Sequence, residues 1–128
     1  LANILIIDDE QAVRKMLRMS LIRAGHEVAE AEDGEAGLRE FRQNPPDLVI
    51  TDIVMPGKDG LETIMELWRE NPDVRIIAIS GGGARISTDL CLEHARIFGA
   101  VKTLSKPVDR QVLLSAIDEV LARTADRD

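Results

Sequence analysis

Apolar runs and segments of helical period alternate along this chain. "NILII" (3–7), "HEVAE" (26–30), "DLVIT" (47–51), "RIIAIS" (75–80) and "AVKTLS" (100–105) predict strands. The first, third and fourth are continuously apolar, the pattern of strands covered on both faces. Between the runs the spacing turns helical. Val13, Met16, Leu17, Leu21 and Ala24 share one face of a first helix; Val112, Leu113, Ala116, Ile117, Val120 and Leu121 share one face of the last. Gly25 stands at a helix C-cap position. Asp33-Gly34 and Asn44-Pro45-Pro46 mark turns. Asp59 is placed to cap a helix reaching Glu70, with Asn71-Pro72 ending it. Trp68 is expected to pack on that helix beside Leu61 and Ile64. Five β-α units in series predict an α/β fold, in which right-handed crossovers put helices on both faces of a parallel sheet. The functional crevice of such a fold lies at the carboxyl ends of its strands.

Those ends carry chemistry. The first strand runs into Asp8, Asp9 and Glu10, the third into Thr51-Asp52, the fourth into Ser80 and three glycines, and the fifth into Ser105-Lys106-Pro107. If the ends converge, they gather at least three carboxylates, a hydroxyl and an ammonium. Carboxylate oxygens suit Mg²⁺, and a carboxylate is also a nucleophile that can take a phosphoryl group as an acyl phosphate. Such transfer needs mainly positioning and charge neutralisation. Lys106 and a metal would neutralise phosphoryl oxygens, Ser80 would add a hydrogen bond, and the glycines would let the backbone approach. A plainer reading of consecutive acids is a solvated helix start favoured by the helix dipole. Glu10 is assigned to that helix start and separated from the site.

Composition narrows the field. A chain of 128 residues, 45% of them apolar, suits one domain with one core. The net charge of −7 and the lack of a Lys/Arg cluster argue against direct nucleic-acid binding. Cys91 stands alone, which excludes a disulfide framework and a thiolate cage, and His26 and His94 lack ligand spacing. No apolar run is long enough to cross a bilayer, and no signal pattern opens the chain, so a soluble intracellular protein without a membrane partner is expected. A start at Leu1 rather than Met fits a trimmed chain or a piece of a longer one.

"IIDDE", "DLVITDIVMPGKDG", "IIAISGG" and "LSKPV", in that order, resemble the receiver domain of bacterial response regulators, with a match running from Asn3 to about Leu121. The resemblance implies a doubly wound, flavodoxin-like, five-stranded parallel sheet of order 2-1-3-4-5 with five helices. The receiver domain would span 1–123, followed by a polar tail at 124–128. It also implies a cytoplasmic, phosphorylation-dependent switch of two-component signalling. Asp52 would take a phosphoryl group from a sensor histidine kinase or a phosphotransfer protein, with Mg²⁺ or Mn²⁺ as cofactor. Asp9 and Asp52 would ligate the metal directly, Asp8 through water, and Val54 through its backbone carbonyl. Ser80 and Gly81 would bind phosphate. Lys106 would pair with Asp52 before phosphorylation and with phosphate after it, and Pro107 would follow a cis peptide. Output would pass through the surface of the fourth helix, fifth strand and fifth helix, where a homodimer could also form; the effector is not specified.

The sequence departs from the family in places. Thr103 stands on the fifth strand where an aromatic residue is common, and Val54 and Gly82 leave an apolar, bare path to the phosphoryl group. "GGGARISTD" (81–89) would serve as a switch segment before the fourth helix. Two rival readings use the same residues. One is a Mg²⁺-dependent phosphohydrolase working through an aspartyl phosphate, although Val54 replaces its usual second Asp. The other is an interaction module that never takes phosphate.

Overall fold

The computed structural model describes residues 2–53, 60–80 and 102–122. The strands are β1 (Asn3–Ile7), β2 (Glu27–Ala31), β3 (Leu48–Asp52), β4 (Ile76–Ser80) and β5 (Lys102–Ser105). The helices are α1 (Gln11–Arg23), α2 (Gly34–Gln43), α3 (Gly60–Glu70) and α4 (Arg110–Ala122), the last being the fifth helix of the sequence reading. The predicted fourth helix, Val54, Asp59, Gly81, Gly82, Cys91, His94 and the tail 124–128 lie outside the described residues. Among the described residues no helix is long and apolar enough to cross a membrane.

The five strands form one parallel sheet of order β2-β1-β3-β4-β5. Successive side chains of a strand point to opposite faces, which explains the unbroken apolar runs. Leu5, Ile7, Val49, Ile76 and Ala78 join Leu38 and Phe41 of α2 and Ile64 and Leu67 of α3 in one core cluster. Ile4, Ile6, Leu48, Ile50, Ile77 and Ile79 join Leu17 and Leu21 of α1 and Leu113, Ala116, Ile117 and Val120 of α4 in the other. Each fully buried Leu or Ile contributes about 1.5–3 kcal/mol of transfer free energy, so both layers are needed to hold the three central strands.

Helix ends follow local chemistry. Gly25 has a φ of 95°, a conformation that favours glycine. The N–H groups of Gly25 and His26 donate to the carbonyls of Ile22 and Leu21, both at 3.0 Å, which closes a Schellman motif. The buried His26 ring accepts the Ala2 N–H through Nδ1 at 3.2 Å, a structural role. Asp33 caps α2 by accepting the Ala36 N–H at 2.8 Å. In α2, a Cβ on Gly37 would fall onto the Ile7 side chain, so glycine lets this helix sit close to β1.

Three packing expectations need correction. Met16 and Val112 were placed on buried faces, yet both are exposed. Each directly precedes the central buried residue of its helix, Leu17 or Leu113, and so lies about 100° round from it, at the edge of the apolar stripe. Trp68 is 50% exposed rather than packed down with Ile64, which is fully buried.

Candidate phospho-acceptor site

Three strand ends bring the charged groups together. Asp52 ends β3 and is 4% exposed; Asp8 follows β1 and is 1% exposed. Lys106 follows β5, and its Nζ lies 3.1 Å from Asp52 Oδ2, 3.2 Å from Asp8 Oδ2 and 2.9 Å from Glu10 Oε1. Ser80, the last residue of β4, is buried, and its carbonyl accepts the Lys106 N–H at 2.8 Å. That bond continues the β4–β5 ladder past the Ser80–Ser105 register pair and carries the lysine backbone into the cluster. The Lys106-Pro107 peptide is cis, as the resemblance implied. Thr103 pairs with Ala78 in the same ladder and is partly buried.

The loop after β1 is pinned on several sides. The Asp8 N–H donates to the Ala31 carbonyl at 3.1 Å. The Asp8 carbonyl accepts from the Arg14 guanidinium at 2.6 Å, and Asp8 Oδ1 accepts the Glu10 N–H at 2.9 Å. Arg14 also pairs with Glu30 at 3.4 Å. Gly60 closes on the end of β3 in a similar way. Its N–H donates to the Ile53 carbonyl at 2.8 Å, and a Cβ there would fall on the Asp52 carbonyl oxygen. Only glycine allows α3 to start this close to the end of β3.

Electrostatics inside the cluster are uneven. Burial raises the pKa of Asp8, against the lowering effects of the Glu10 N–H and of Lys106. Burial also works against the charge of Lys106. Its hydrogen bond with Glu10 and its attraction to Asp52 and Asp8 outweigh that penalty and hold its pKa above the ordinary value. Asp8 Oδ2 lies within ion-pair distance of Lys106 but, among the described residues, accepts no hydrogen bond of good geometry. A buried carboxylate oxygen left in this state is costly unless a further positive group meets it. Asp8, Asp9, Glu10 and Asp52 each offer an oxygen, all within 4.8 Å of one another. This hard-oxygen set fits a divalent cation such as Mg²⁺.

The structure therefore brings Asp8, Asp9, Asp52, Ser80 and Lys106 to one end of the sheet, as their strand-end positions predicted. Val54 and Gly81 lie outside the described residues. Sequence reasoning missed three contributors. Glu10 was assigned to the helix start alone. It does occupy the N-cap position of α1, but its side chain makes no capping bond and reaches Lys106 instead. Arg14 gave no signal of its own, and Gly60 entered only as the last residue of "DLVITDIVMPGKDG", because what they touch depends on how a helix packs against a strand end.

Comparison with known proteins agrees with the geometry. The model of the response regulator receiver domain matches residues 4–118. The DNA-binding transcriptional regulator NtrC of Azospirillum brasilense is 36% identical over 120 residues, covering 94% of this chain and 24% of that protein. Protein PilH of Pseudomonas aeruginosa is 37% identical over 122 residues, covering 95% of this chain and 99% of that one. A receiver domain crystal structure from Clostridium thermocellum superposes with a TM-score of 0.88 at 35% identity, covering 98% of each chain. Against the larger regulators this chain spans only part of the length, 24% of NtrC and 52% of Streptomyces coelicolor AfsQ1. With a lysine held between buried aspartates at the ends of a β2-β1-β3-β4-β5 sheet, and a family match over nearly its full length, the chain belongs to the response regulator receiver domains.

Proposed function

We propose that Asp52 is the phospho-acceptor of a two-component signalling switch. The observation that carries this reading is the placement of Asp52: buried at the end of β3, 3.1 Å from Lys106 and inside the acidic cluster. A carboxylate oxygen of Asp52 attacks the phosphorus of a phospho-histidine on a sensor kinase or phosphotransfer protein. The new P–O bond forms as the P–N bond breaks, and the imidazole leaves with the electron pair. In this reading Lys106 offsets charge on the phosphoryl oxygens, and Ser80, at the end of the neighbouring strand, donates its hydroxyl. Mg²⁺, held by Asp9 and Asp52 and by Asp8 through water, would neutralise the same oxygens when bound. Val54 and Gly81 take the backbone roles that the family resemblance gives them.

Phosphorylation adds about −1.5 to −2 charge at Asp52. It shifts a conformational equilibrium only if the two states contact that charge differently. Ser80 ends β4 and Lys106 follows the neighbouring β5, so the surface of the predicted fourth helix, β5 and α4 is the readout surface in this proposal, and it is also the surface for any homodimer. The domain acts in the cytoplasm, passes its signal to an effector, and has no turnover of its own beyond slow loss of phosphate. The test is labelling by acetyl phosphate with Mg²⁺. The wild type is expected to gain one phosphoryl group by intact-protein mass, and Asp52→Asn none. Full labelling of Asp52→Asn would sink the assignment.

A further inference from the structure

We propose that Glu10 is a positioning residue that competes with the phosphoryl group for Lys106 and so tunes how firmly the site holds that group. The inference rests on the phospho-acceptor reading of Asp52 and adds the regulation of that site. Glu10 occupies the N-cap of α1, where a side chain ordinarily accepts an N–H from the first turn. Its carbonyl accepts the ordinary first helical bond, from the Arg14 N–H at 3.0 Å. Its side chain makes no cap bond and runs to Lys106 Nζ at 2.9 Å.

An ammonium has three N–H donors. Here three carboxylates surround it, from Glu10, Asp8 and Asp52. A phosphoryl group on Asp52 converts that carboxylate into an acyl phosphate with three strong acceptor oxygens, so the Lys106 ammonium is then shared between those oxygens, Asp8 and Glu10. The two remaining carboxylates do not cost the same to release. The Asp8 side chain is 2% exposed, so giving up the ammonium there would leave a buried charge poorly compensated. Glu10 is 60% exposed in its side chain and returns to water. Glu10 is therefore the partner that leaves, and the strength of its pair with Lys106 is subtracted from the binding of the phosphoryl group. Glu10 holds Lys106 in place while the site is empty and yields when the site fills.

The competing role is metal ligation, because the Glu10 carboxylate is also within the 4.8 Å oxygen cluster. The probes are beryllium trifluoride, an acyl-phosphate mimic, at saturating Mg²⁺, and Mg²⁺ alone, both followed by calorimetry. Glu10→Gln is expected to tighten binding of the mimic by about two- to fivefold, the range of one exposed ion pair. Its loss of Mg²⁺ affinity is expected to stay below about tenfold, the scale of 1.4 kcal/mol. In a Lys106→Met background, Glu10→Gln is expected to leave binding of the mimic unchanged, because the competition has lost its object. The proposal is overturned by unchanged binding in the single variant. Equal tightening in the Lys106→Met background would also overturn it, since that marks a general charge effect. A larger loss of Mg²⁺ affinity would make Glu10 a ligand instead. Labelling separates the two layers of the argument: if Asp52→Asn still takes phosphate, the site reading fails, whereas normal Asp52 labelling with an unresponsive Glu10→Gln defeats only the role of Glu10.

Discussion

Lys102 and Lys106 lie within one short segment, the first opening β5 and the second following it. Both pair with acids, and the similarity ends there. Lys102 meets Glu119 of α4 at 2.7 Å, with side chains 34% and 46% exposed. Lys106 meets three acids, is 14% exposed, and faces two carboxylates that water hardly reaches. Exposed pairs contribute about 0–1 kcal/mol because solvent already screens both charges. Near a buried carboxylate that screening is weak, so removing the cation leaves the anions uncompensated. The same residue type is surface decoration at one position and the keystone of the site four residues later.

The sharpest way to break this contrast is Lys106→Met. In chelator at neutral pH it should destabilise the domain by roughly 1–3 kcal/mol. That is below the cost for a fully buried pair because the cluster opens to solvent on the Glu10 and Asp9 side. Urea unfolding measures it, and added Mg²⁺ should restore part of the loss. An unchanged midpoint would mean that the carboxylates do not depend on the lysine.

Asp8→Asn should act in the opposite direction. Burial raises the pKa of Asp8 in the folded state above its unfolded value. The stabilising contribution of a group shifted this way is complete below the unfolded pKa, near 3.8, and is lost as pH rises through the higher folded value. At neutral pH without metal, Asp8 is therefore a charge the fold would be more stable without. The Asn variant should melt higher than wild type there, and its advantage should fade as pH falls towards 4, the region of an ordinary carboxylate pKa. Mg²⁺ should stabilise wild type more than the variant. A variant that melts lower at neutral pH would contradict the burial argument.

The smallest effect belongs to Lys102→Met. Its cycle with Glu119→Gln should return a coupling of about 0–1 kcal/mol that salt reduces further. A coupling as large as that of the Lys106 cluster would erase the distinction between the two lysines.

How legible these features were depends on what each residue needs from its surroundings. Strand ends are readable because an apolar run must stop somewhere, and its first polar residue then lies at a sheet edge. Asp8 and Ser80 were found in this way, Asp52 one position beyond the first polar residue of its run, and Lys106 at the end of a mixed strand before a Lys-Pro turn. Met16, Val112 and Trp68 were misplaced because periodicity finds the centre of a buried stripe more sharply than its edges. Glu10 was misread because consecutive acids at a helix start have an adequate local explanation. The competing partner, Lys106, comes from 96 residues away in sequence.

By itself the sequence determined the α/β order, the two-faced core and the identity of the groups at the carboxyl ends of the strands. Those follow from side-chain period and hydrophobicity, which are local properties. The tertiary structure decided which of those groups meet and at what distance. It set three acids on one lysine, left Asp8 Oδ2 without a well-formed hydrogen bond among the described residues, aimed Arg14 at the Asp8 carbonyl and required Gly60 beneath Asp52. Such contacts join segments far apart in the chain. Their energies depend on burial and on the neighbours' charges, and neither exists until the sheet has assembled.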